Sequence, residues 1–88
     1  MLMAKKWQCR RIHNAWVQCE TKTHKAQAKI FDTPSKYGIN RGRISKLWVQ
    51  RKGDRKVVVN YDRGWDVKPK NIKVFTKPFL EYTKKERR

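Results

Sequence analysis

The chain has 88 residues, with 24 Lys and Arg against 7 Asp and Glu, a formal net charge of +17. That length supports one domain and excludes two, since domains typically run ~100 to 150 residues and a chain of this size buries only roughly 60% of its unfolded surface. An apolar content of 38% that includes four Trp, three Tyr and three Phe excludes a wholly disordered polycation, which would lack the large side chains of a core.

Residues 1–83 read as a single basic α+β domain, with a charged, disordered tail over 84–88. Its expected fold is a small antiparallel sheet of four to five strands, arranged as hairpins, with a short C-terminal helix. The first hairpin joins strands over Trp7 to Ile12 and Ala15 to Thr21 through His13 and Asn14, because Asn tolerates the left-handed backbone region. Two registers are open. A two-residue loop pairs Cys9 with Gln18 and turns the cysteines to opposite faces, whereas a three-residue loop sets Cys9 directly across from Cys19. In the next strand, Lys25 to Phe31, Ala26, Ala28 and Ile30 alternate with Lys25, Gln27 and Lys29, the pattern of a half-buried strand.

Asp32 to Gly42 is a loop rich in turn formers: Pro34, Ser35, Gly38, Asn40 and Gly42. Arg43 to Gln50 follows as the clearest strand, with Ile44 and Trp48 at even spacing and Leu47 and Val49 facing the other way. Arg51 to Asp54 turns the chain into Lys56 to Tyr61, where Val57, Val59 and Tyr61 share a face. Asp62, Arg63 and Gly64 form another turn, with Gly64 permitting a left-handed residue. Pro69 makes Val67 and Lys68 extended. Ile72, Phe75, Phe79 and Tyr82 then recur at helical spacing on both sides of Pro78. Either Asn71 opens a helix kinked at Pro78, or a short helix starts with Thr76 as its cap and Pro78 in its first turn, where a missing donor costs nothing. The second is preferred. Trp48, Tyr61, Phe75 and Phe79 are the expected core aromatics.

No apolar run exceeds the four residues Met1 to Ala4, with three-residue runs such as Val57 to Val59 next, against the ~18 to 20 that span a bilayer, and Met1 to Ala4 is too short for the apolar part of a signal peptide. No long amphipathic basic helix is present to lie on an anionic membrane. A cytoplasmic protein is therefore expected, with Cys9 and Cys19 as free thiols.

Cys9, His13, Cys19 and His24 supply the donor types of a tetrahedral zinc site. Their spacing argues against it, because short zinc modules begin from ligand pairs two to four residues apart. The plainer reading is two structural thiols and two surface imidazoles, with no metal and no cofactor. Asp62 and Asp66 are a thin basis for a two-metal nuclease, since no base or nucleophile accompanies them and Asp beside Gly64 more often ties down a turn. No catalytic residue is assigned, and the chain reads as a non-enzyme. The charge carries the function instead. Lys5, Lys6, Arg10 and Arg11 at the start, and Arg41, Arg43, Lys46, Arg51, Lys52, Arg55 and Lys56 around the central hairpin, form a surface for phosphates of DNA or RNA. Trp7 and Trp16 are candidates for stacking on bases.

The strings YGINRGRISKLWV and VNYDRGWDVKP, spanning residues 37–69, resemble a family of small, mainly bacteriophage-encoded proteins of unknown function that share a YGI, GRISKL and YDRGWD signature. The resemblance implies a compact antiparallel sheet with a C-terminal helix, phage origin and action in the host bacterial cytoplasm. This chain departs from that pattern in its basic N-terminal hairpin, in Arg41 and in Pro78. Nucleic-acid binding through phosphates is the leading expectation. The second is a phage inhibitor that binds a host nucleoprotein machine, such as RNA polymerase, a ribosome or a CRISPR effector.

Overall fold

Alternating apolar and polar residues, punctuated by short turns, make six strands: β1 (Gln8–His13), β2 (Trp16–Glu20), β3 (His24–Ile30), β4 (Ile44–Arg51), β5 (Val57–Asp62) and β6 (Trp65–Val67). Helix α1 (Lys73–Glu86) follows, in a computed structural model that describes residues 7–86. Each strand pairs antiparallel with the next, giving one meander in the order β1-β2-β3-β4-β5-β6. The fold is α+β with a small antiparallel sheet. It has six strands instead of four to five, because the Asp62 to Gly64 turn is tight enough to fold Trp65 back beside Tyr61.

The left-handed residue of that turn is Arg63, at φ 57°, and not Gly64; among the described residues no glycine has a positive φ. In the first hairpin Asn14 takes φ 51° as expected. Its register combines features of both alternatives. His13 pairs with Trp16 around a two-residue loop, and a bulge between Arg11 and His13 shifts the remainder so that Cys9 opposes Cys19. The two cysteines form a disulfide with Cα atoms 4.0 Å apart, which overturns the expectation of free thiols.

Strand alternation sorts the residues onto two faces. One row contains Cys9, Cys19, Ala26, Val49 and Val59, and the next contains Arg11, Val17, Ala28, Leu47, Tyr61 and Trp65. Apart from Arg11 at the edge, these rows make the floor of the core, which Phe79 of α1 fills from above with no exposed surface. Trp7, Ile72, Phe75, Leu80 and Tyr82 pack around it.

The helix begins at Lys73, nearer the alternative opened by Asn71 than the preferred start behind a Thr76 cap, and Pro78 lies in its second turn. An interior proline costs ~3 kcal/mol because it removes a hydrogen bond and crowds the preceding turn. Burial of Phe75, Phe79, Leu80 and Tyr82 offsets this, since each large apolar side chain taken out of water contributes about 1.5–3 kcal/mol. The amides of Phe75 and Thr76 both donate to the Ile72 carbonyl, at 3.0 and 3.1 Å, which fixes the start. Cys9 Sγ lies 3.9 Å from the Pro78 carbonyl oxygen, a packing contact only, because a disulfide sulfur has no proton to donate. Residues 84–86, expected as disordered tail, form the last helical turn, and Glu86 pairs with Arg11. Arg87 and Arg88 lie outside the described residues.

The β3–β4 loop carries a 3-10 turn over Ile39–Arg41 and closes on itself through a Ser35 amide donating to the Gly42 carbonyl at 3.1 Å. A Cβ on Gly38 would stand 2.0 Å from that same Gly42 oxygen, so only glycine fits there. The Tyr61 hydroxyl donates to the Tyr37 carbonyl at 2.6 Å and ties the loop to β5. Among the described residues no helix is long and apolar enough to cross a membrane.

Candidate nucleic-acid interface

Helix α1 packs on one face of the sheet, and the intervening residues of every strand point to the other. On that open face Arg10, Gln18, Gln27, Trp48 and Asn60 form a continuous row across five strands. Beside it runs Trp16, Lys29, Lys46 and Asp62, and on the opposite side Gln8, Glu20, Lys25 and Gln50. Trp16 and Trp48 are half-buried, as expected for side chains lying among neighbours on a pleated sheet. Phe31, 43% exposed, has Lys29 Nζ 5.3 Å from its ring centroid.

Glu20 and Asp62 on this face are each engaged. Lys52 Nζ reaches Glu20 Oε2 at 2.8 Å and Lys46 Nζ reaches Asp62 Oδ1 at 3.7 Å. Gln27 Nε2 donates to Gln18 Oε1 at 3.2 Å, and Gln18 Nε2 donates to Glu20 Oε1 at 3.3 Å, so a chain of side-chain hydrogen bonds links β3 to the Glu20–Lys52 pair. The Lys52 ammonium holds the Glu20 carboxyl below its ordinary range. Arg51 does the same to Asp54, donating to both carboxylate oxygens at 3.1 and 2.8 Å, with the Lys56 amide adding a third bond at 3.1 Å. Arg11 lowers Glu86.

A carboxyl whose folded pKa is depressed stabilises the fold above its unfolded pKa, near 4, and that contribution disappears as the pH falls toward the folded value. The melting temperature is therefore expected to drop between pH 5 and pH 3. Asp54→Asn should melt lower than the parent at pH 7 and show a shallower acid dependence; parallel pH profiles for the two proteins would remove this account.

The expected cationic residues divide among several surfaces. Arg10 and Lys46 lie on the open face, and Lys52 reaches it from the β4–β5 turn. Arg51, Arg55 and Lys56 cluster at that same turn, where Arg55 takes φ 59°. Arg41, at φ 56°, is exposed in the β3–β4 loop. Arg11 and Arg43 belong to the helix side: Arg11 pairs with Glu86 and donates to the Asn14 carbonyl at 2.6 Å, and Arg43 donates to Thr83 Oγ1 at 3.0 Å. Lys5 and Lys6 lie outside the described residues. Lys25 and Lys29 join the open face without having been singled out, although their alternation with Ala26 and Ala28 is the signal that puts them there.

The aromatic assignments change in two places. Trp7 packs edge-on against Phe75, with ring centroids 6.4 Å apart and planes at 77°, and belongs to the core margin. Trp48, expected in the core, shares the parity of Lys46 and Gln50 and so faces outward, and Trp16 also lies on the open face. The zinc set is not assembled. Cys9 and Cys19 are joined to each other, His13 sits beside the first turn, and His24 is at the opposite end of the sheet across from Arg51. Among the described residues no three His, Cys, Asp or Glu side chains are grouped to hold a metal ion.

No curated protein and no solved structure matches the chain. A family model described as a domain of unknown function, DUF7678, matches residues 15–85, from the first turn through nearly all of α1, and the chain belongs to that family.

Proposed function

We propose that this protein is a phage-encoded, non-enzymatic nucleic-acid-binding module that holds DNA or RNA through phosphate contacts on the open face of its sheet. One observation carries the reading: the face away from α1 bears Arg10, Lys25 and Lys29, while its Glu20 and Asp62 are each neutralised by a lysine, Lys52 and Lys46 respectively. Cations arrayed on a rigid sheet meet a polyanion with little side-chain reorganisation, and counterion release drives the association. The resemblance carried by residues 37–69 supports the phage origin.

Salt titration tests it. Neutralising about three phosphates gives a log–log slope near −2.1 on single strands, so affinity is expected to fall roughly 20-fold between 50 and 200 mM salt. Lys29→Gln should weaken binding and flatten the slope by ~0.7. An affinity that ignores salt would end this reading.

A second reading has a specific observation in its favour. A cleft of about 750 Å³ between α1 and the β3–β4 loop has an apolar floor that includes Ile39, Ile44 and Leu80 and a rim that includes Lys73, Lys77 and Lys84. That combination suits an acidic segment with apolar anchors, as an inhibitor of a host nucleoprotein machine would need. Under this reading one stoichiometric partner survives nuclease treatment of a lysate, and Leu80→Glu abolishes its capture.

A further inference from the structure

We infer that the open face selects single strands over duplexes, with Trp16 and Trp48 as two separate base-stacking positions and Lys29 as the phosphate contact between them. This deepens the nucleic-acid reading above and rests on it. Trp16 lies on β2 level with Lys29, and Trp48 lies on β4 level with Gln27, so the two tryptophans are two strands and two residues apart. With ~4.8 Å between strands and ~3.4 Å per residue, their Cα atoms are roughly 12 Å apart on the diagonal. Successive nucleotides along one strand of a duplex are only ~3.4 Å apart along the axis. Two rings so far apart cannot receive adjacent bases of a stacked strand. They suit a strand whose bases are splayed, with its backbone crossing β3 between them.

Lys29 occupies that intermediate strand on the same face, and its ammonium also lies against Phe31, an exposed aromatic that extends the platform. A duplex offers its phosphates to such a face but keeps its base planes inside the stack, so tryptophans on the surface gain nothing from it. Single strands offer both. The Gln27–Gln18 hydrogen bond lies in the row of Trp48, beside that of Trp16, and continues through Glu20 to Lys52, so this part of the surface is already ordered before a ligand arrives.

The test compares labelled oligo(dT) and oligo(U) of about 12 nucleotides with a duplex of the same length at one salt concentration, by fluorescence anisotropy and by quenching of the intrinsic tryptophan emission. Single strands are expected to bind at least about 10-fold tighter than the duplex and to quench emission. Trp16→Ala and Trp48→Ala should each weaken single-strand binding roughly 5- to 150-fold and leave duplex binding unchanged, while Trp48→Phe keeps most of the affinity. Emission quenching in the parent protein needs no variant and stays informative if an alanine variant fails to fold. Equal affinity for both forms with no quenching overturns the single-strand inference and leaves phosphate binding standing. Failure of every oligonucleotide to bind overturns both.

Discussion

Phe79→Ala is expected to lower the unfolding free energy by about 3–5 kcal/mol, the range for truncating a fully buried phenylalanine. Phe79 is the largest side chain with no exposed surface, and it closes the core from the helix side against rows contributed by β1 to β5. A domain of this size is stabilised by only ~5–15 kcal/mol in total, so the variant should populate unfolded chains at 25 °C and shift its urea midpoint strongly downward. Val74→Ala, on the same helix but 47% exposed, should stay within about 0.5 kcal/mol of the parent. Comparable losses from the two substitutions would show that α1 does not dock through Phe79. Because Pro78 already weakens the helix by itself, docking is what holds it, and far-UV helical signal should decline together with core packing as Phe79 is removed.

Breaking the Cys9–Cys19 bond is expected to have the next largest effect. The bond spans 10 residues, and the chain-entropy model assigns a loop of that size ~2.7 kcal/mol at 25 °C. Reduction, or Cys9→Ser combined with Cys19→Ser, should therefore lower the melting temperature by roughly 10 to 20 °C. The loss should be uneven. Strand β1 is at the edge of the sheet and pairs with β2 alone, so its amides should exchange first while β3, β4 and β5 keep their protection. Arg10 belongs to β1, and the reduced protein should also show a smaller salt dependence of oligonucleotide binding. A melting temperature indifferent to reductant would mean that the strand pairing alone fixes this edge.

Much of the sheet was legible because period-two alternation is a local property. Lys25 to Phe31 announces a half-buried strand, and Leu47 and Val49 define an inner face whose parity excludes Trp48. That parity is present in the sequence, and the apolar character of Trp48 does not override it. The β6 strand was not legible: a three-residue strand just after a turn carries too little pattern, and it is pairing with Tyr61 across that turn, with rings 4.9 Å apart, that sets Trp65 in the sheet. Helix α1 shows the opposite case. Local chemistry argues for a start after Thr76, and the apolar contacts of Ile72 and Phe75 with the sheet extend it back to Lys73 across an unfavourable proline.

By itself, the sequence determined a small basic α+β domain, the alternation that gives the sheet two unlike faces, and a net charge of +17. Tertiary structure decided which residues share those faces. A single bulge in the first hairpin brings Cys9 opposite Cys19, and pairing across six strands gathers Arg10, Lys25, Lys29, Lys46, Trp16 and Trp48 on the side that α1 leaves open while sending Arg11 and Arg43 to the helix. Composition counts every cation alike, whereas register and helix docking separate those committed to carboxylates and backbone, Lys46 among them, from Arg10, Lys25 and Lys29 on the open face, because both depend on contacts between residues far apart in the chain.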